Sequence, residues 1–288
     1  MSSEMEEYKS RKRIFVRIFT NPKPTKGTSP YFKLHEGDFD IDAVRIRNLF
    51  VERYELAEKD VDILPNRKVL EVLTKLEEWG KAGGSAEWYD YFFFFFLGYA
   101  QNGEDPNTLQ FYNDSLSLEA IFNAIKSLKP FAGKPKMFVI QSDNLNLIPT
   151  AHLAKGSEDR KVGTRKIPQD ADRLIIHSDI PQLFANTSQD EYIEQLHKVE
   201  EHHPKAGKST KLPDETNKNC SFLIQAFIRV MVDGKYADDD LLTRTCHINA
   251  LIDTMVTNIC FHYGEDKKVK KKLTLPLTTS TLTRKVKL

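Results

Sequence analysis

Cysteine is scarce in this chain: three residues, Cys220, Cys246 and Cys260, in 288. An odd, widely spaced set makes neither a disulfide framework nor a zinc-site pattern, and a reducing interior compartment is the simpler reading. An excess of charge is missing too. With 42 basic and 41 acidic residues the formal net charge is +1, which argues against a nucleic-acid binder with its usual basic surplus. No apolar run is long enough for a membrane: Tyr91–Ala100 (YFFFFFLGYA) is the most apolar stretch and reaches about half the span of a bilayer. The start, MSSEMEEYKSRKR, has no apolar centre and does not read as a secretory signal. The expectation is a cytoplasmic protein that binds neither nucleic acid nor membrane. Internal repeats are absent.

The composition, 40% apolar and 29% charged, suits a soluble globular chain of one large α/β domain or two small ones. Short apolar runs alternate with segments of helical period, the pattern of a mainly parallel sheet with helices on both faces. Strands are predicted at Arg13–Thr20, Val61–Leu64, Tyr91–Ala100, Lys136–Gln141 and Arg173–His177, with the phenylalanine run as a central strand buried on both sides. Helices are predicted at Ile41–Arg53, after a capping Asn66, at Leu116–Leu128 with Ser117 placed to cap it, at Phe222–Val232 and at Leu241–Thr254. Residues 188–219 form a polar insertion. A basic run, Lys267–Lys272, precedes a β-rich tail.

Four blocks, in order, give the chain a resemblance to the caspase family from about Arg13 to Leu288. AGKPKMFVIQ (Ala132–Gln141) is similar to the strand that delivers the family's nucleophile, and KIPQDADRLIIHS (Lys166–Ser178) to the start of its small subunit. CSFLIQAF (Cys220–Phe227) resembles the helix after the specificity loop, and STLTRKVKL (Ser280–Leu288) the closing strand. FDIDAVRIRNLF (Phe39–Phe50) matches the first helix less tightly. The resemblance implies a caspase-like α/β sandwich: a central, mainly parallel, six-stranded sheet with helices on both faces. Residues 1–12 would be a short N-terminal segment, 13–145 large-subunit-like, 146–165 a linker and 166–288 small-subunit-like. The layout is similar to the short effector type without an adaptor-binding prodomain, and neither cofactor nor metal is implied.

The family places its cysteine in Q-A-C-[RQG]-G directly after a strand. Here that segment reads Gln141-Ser142-Asp143-Asn144-Leu145, so Asp143 stands at the cysteine position. The histidine of the Ser-His-Gly motif falls on Asn102, within Gln101-Asn102-Gly103. The interval from 102 to 143 is consistent with the family spacing of about 50 residues. A carboxylate would give an unstable mixed anhydride, and an amide cannot relay a proton, so the expectation is a pseudoenzyme and no protease. In the family's aspartate-specific pocket, Gln141 matches the glutamine, while the two arginine positions fall on Glu36 and near Thr187. Such a pocket would repel a substrate carboxylate.

The resemblance also implies dimerisation through a strand near the C-terminus, here Leu275, Pro276, Leu277, Thr278 and Thr279. It is apolar and lacks the charge that usually guards a free edge; an ordinary interior strand is the plainer alternative. The expected function is regulation of apoptosis-linked proteolysis by heterodimerisation with an active caspase, or homodimerisation. A decoy for caspase inhibitor proteins is an alternative, as is a residual hydrolase using Asp143 with another histidine such as His152. Asp159, in the linker, is a candidate cleavage site. Gly207-Lys208-Ser209-Thr210 lacks the first glycine and preceding strand of a phosphate loop. His202 and His203 read as solvated loop residues, and His177 as a satisfied structural histidine.

Overall fold

A computed structural model describes residues 13–21, 35–36, 39–81, 83–100, 107–126, 128–144, 147, 172–185, 219–262 and 275–288. The sheet strands in chain order are β1 (Ile14–Thr20), β4 (Val61–Pro65), β5 (Tyr91–Ala100), β6 (Thr108–Gln110), β7 (Ser115–Ser117), β8 (Lys136–Asp143), β9 (Arg173–Ser178) and β10 (Leu277–Ser280). A small ribbon of β2 (His35–Glu36) and β3 (Phe39–Asp40) stands apart. The helices are α1 (Ile41–Asn48), α2 (Val69–Gly80), α3 (Leu118–Lys126), α4 (Phe222–Val232) and α5 (Leu241–His262).

The main sheet runs β10-β9-β8-β5-β1-β4. Strands β9, β8, β5, β1 and β4 are parallel to their neighbours, and β10 lies antiparallel on β9. This is the expected six-strand path, with β5 in its interior. Two further strands were not foreseen: β6 pairs antiparallel with the end of β5 and β7 with β6, giving eight strands among the described residues. Both are three residues long with a single apolar residue, too short for alternation to announce them.

The pleat divides the phenylalanine run between two cores. Tyr91, Phe93, Phe95 and Leu97 join Val16, Ile18, Met137 and Val139 beneath α1, α4 and α5. Phe92, Phe94 and Phe96 join Phe15, Phe19 and Phe138 beneath α2 and α3. A strand covered by helices on both sides needs no alternation of polarity, which is why this one reads as unbroken aromatic.

Local signals set the helix ends. Asp40 caps α1, accepting from the Asp42 N–H at 2.9 Å. The expected single helix to Arg53 is interrupted: regular α geometry ends at Asn48 and a π turn, Leu49–Arg53, follows. Asn66 does not cap α2; it adopts a positive φ of 49° before the helix, a conformation asparagine tolerates. Instead Glu71 accepts from the Lys68 N–H, and Asn113 of the β6–β7 turn accepts from the Val69 N–H, both at 2.9 Å. Ser117 does cap α3, accepting from the Ala120 N–H at 3.2 Å. Gly80 closes α2 where a Cβ would collide with Leu128. Helix α5 outlasts its predicted end at Thr254, and among the described residues of the β-rich tail only Leu277–Ser280 is a β-strand. No helix among the described residues is long and apolar enough to cross a membrane.

Candidate functional site

The three residues Gln141, Ser142 and Asp143 end β8 at the carboxyl edge of the parallel sheet, where open α/β sheets place their ligands. Alternation sends Gln141 and Asp143 to the face of α1 and α4, and Ser142 to the opposite face. All three are buried, Asp143 and Gln141 at 0% exposure. Each is tied to β9 or to the turn after it. Gln141 Nε2 donates to Asp143 Oδ1 at 2.7 Å and to the Ile180 carbonyl at 2.6 Å. The Gln182 backbone N–H donates to Asp143 Oδ2 at 3.1 Å. The Asn144 N–H donates to the Asp179 carbonyl at 3.0 Å. Ser142 Oγ and His177 Nε2, on neighbouring strands, share a hydrogen bond of 2.7 Å. His177 is therefore a buried, partnered histidine in this fold, as read from its place at a strand end.

Gln141, the residue that matches the pocket glutamine, turns its amide onto the chain's own carboxylate and backbone. Asn102 lies outside the described residues, as do Thr187, Asp159 and nearly all of the linker and of the polar insertion. What the described chain adds is that β5 is the direct parallel neighbour of β8, with Tyr99 paired to Asp143. Glu36 falls in β2, opposite Phe39; its side chain is outside the description.

A second polar cluster, not foreseen from sequence, lies where β3 enters α1. Asp40 and Asp42 are both at 0% exposure. Asp40 accepts from Thr20 Oγ1 at 3.4 Å, and Asp42 accepts from the Ser221 N–H at 2.8 Å. Ser221 in turn caps α4 through the Ile224 N–H. Burial, reinforced by Asp42 and Asp40, pushes the neighbouring Cys220 thiol well up, which keeps it protonated. The Asp-x-Asp spacing ahead of a helix was the available signal, since it offers one carboxylate to the helix and one to another segment. No group of three or more His, Cys, Asp or Glu suited to a metal occurs among the described residues.

Among the described residues the C-terminal strand is an edge and not an interior strand. Within the described residues β10 pairs only with β9, Leu277 opposite His177. Leu275 and Leu277 are exposed, at 48% and 40%. The strand is anchored from behind, where Asn249 Nδ2 of α5 donates to Thr278 Oγ1 at 3.1 Å. Beyond it, Thr283 donates through Oγ1 and its backbone N–H to Asp172 Oδ1. A depression of about 300 Å³ lies at the start of β1, lined by Ile14, Tyr54, Met231, Arg244 and Leu288 among others. It includes none of residues 141–143.

Compared with models of known protein families, residues 36–287 match the caspase domain. No curated protein sequence matches significantly. Among solved structures, that of pro-sf-caspase-1 superposes with a TM-score of 0.67 over 99% of this chain and 95% of that one, at 17% sequence identity. A likeness at that identity speaks for the fold.

Proposed function

This chain belongs to the caspase-domain family, and we propose that it is a non-catalytic member which regulates an active caspase by pairing through the β10 edge. The observation that carries the reading is residue 143. Where a thiol would attack, the strand delivers a wholly buried carboxylate engaged by Gln141 and Gln182. A carboxylate attacking a peptide carbonyl would give a mixed anhydride, and an asparagine at 102 could neither accept nor return a proton. Loss of a nucleophile or base from a comparable hydrolytic triad costs on the order of a million-fold in turnover.

What remains is contact. A strand whose outer edge is unpaired among the described residues offers a row of backbone donors and acceptors, and exposed leucines beside it add apolar area. A second copy of the chain or an active relative, docked across a two-fold axis, would extend the sheet without any catalytic group from this side. Regulation of apoptosis-linked proteolysis belongs to the same proposal.

The test joins two measurements on pure protein. Peptides ending in aspartate, glutamate or a neutral residue are expected to show no turnover. Capture of a purified, closely related active caspase is expected for the parent and weakened about tenfold or more by Leu277→Lys, corresponding to about 1.4 kcal/mol. Turnover abolished by Asp143→Ala, or capture that Leu277→Lys leaves unchanged, would sink the reading.

A further inference from the structure

A carboxylate with no exposed surface, such as that of Asp143, must have its lost hydration replaced by donors. Asp143 has one described donor for each oxygen, from two segments far apart in sequence: the Gln141 amide on β8 and the Gln182 backbone N–H after β9. Both are held independently of the carboxylate. The Gln141 amide is oriented by a second acceptor, the Ile180 carbonyl at 2.6 Å. The backbone around Gln182 is brought in by the Asn144 N–H bond to Asp179 at 3.0 Å, and by the β8–β9 ladder, which runs to the pair Gln141 and Ser178. Remove the side chain of residue 143 and these ties remain, still aimed at the vacated place.

We propose that Gln141 Nε2 and the Gln182 N–H form a carboxylate-binding corner at the end of the sheet. The chain fills this corner with its own Asp143, which acts as an internal ligand pinning the turn Pro181–Ala185 against β8. The assignment rests on the reading that residue 143 does no chemistry. It makes Asp143 a positioning residue, and it defines the external ligand the corner takes when emptied: a small monocarboxylate the size of the missing side chain.

Acetate is that side chain cut free, so chemical rescue is the test. Asp143→Gly is expected to melt below the parent and to recover by about 2–4 °C in saturating acetate. Acetamide, or chloride at matched ionic strength, should not reproduce this, and the parent should respond to none of the three. Hydrogen exchange of residues 179–185 should quicken in the variant and slow again with acetate, while exchange in β5 stays unchanged. Adding Gln141→Leu to Asp143→Gly should abolish the acetate response. Asp143→Ala, measured in the same way, guards against an unfolded glycine variant. A folded variant indifferent to acetate, or equally responsive to acetamide, overturns the proposal, as does failure of both variants to fold in acetate. Peptide turnover is followed in the same preparations. Turnover by the parent that disappears in Asp143→Gly would sink the non-catalytic reading and leave the corner standing. Indifference to acetate with a silent parent would do the reverse.

Discussion

The carboxylate of Asp42, in the first turn of α1, accepts a hydrogen bond at 2.8 Å from the backbone N–H of Ser221, which caps α4 across a sequence separation of 179 residues. Both groups are wholly buried. One bond thus joins the first helix of the domain to the first helix after the polar insertion, and it seats Cys220 beside two carboxylates.

Asp42→Ala strands the Ser221 N–H away from water. A buried donor left unmade costs about 1–3 kcal/mol. Urea unfolding should show a loss of that size, and Asp42→Asn, which keeps an acceptor oxygen, should lose less.

Restoring one catalytic group at a time should restore nothing. Asp143→Cys supplies a thiol without a base, and Asn102→His supplies a base without a nucleophile. A nucleophile and its base act as a unit, so each single change leaves turnover near the level of the unassisted reaction. Fluorogenic aspartyl peptides provide the assay; activity from either single variant would contradict the arrangement proposed for residues 102 and 143.

Phe94 is fully buried, with the rings of Phe15, Phe92, Phe131 and Phe138 around it. Phe94→Ala opens a cavity in the aromatic core, at a cost of about 3–5 kcal/mol. In a domain of this size each kcal/mol lowers the melting temperature by about 2–4 °C, which calorimetry would resolve.

Tyr89 sets an upper limit in pH. Its hydroxyl donates to Asp60 Oδ1 at 2.5 Å, and burial followed by that carboxylate pushes its pKa up to about 12, from 10.0. A group whose pKa is raised in the folded state lends its stability in full below the unfolded value and loses it as pH climbs towards the folded one. Melting temperature should therefore fall with an extra slope between about pH 10 and 12. Tyr89→Phe should remove that extra slope while leaving the curve flat near neutrality.

The central strands were legible because burial on both faces forces near-continuous apolar runs, as in Ile14–Thr20 and Tyr91–Ala100. Helix α4 was legible to the residue, since Ser221 caps its start and Asp233 follows its last turn. The cap of α2 was not: the group that satisfies the Val69 N–H is Asn113, 44 positions later. No local pattern contains a partner brought by another element. The same holds for the β6–β7 ribbon, whose short strands depend on the edge of β5 for their place.

At the site, residue types and chain order alone determined that an aspartate stands at the end of β8 and an asparagine follows β5. Chemistry belongs to atoms, and a carboxylate or an amide can be named without coordinates. Only the tertiary structure decided that Asp143 is buried in the grip of Gln141 and Gln182, and that the leucine-bearing strand is an edge among the described residues. Burial and pairing are relations between segments far apart in the chain, and they exist only once the sheet has brought those segments together.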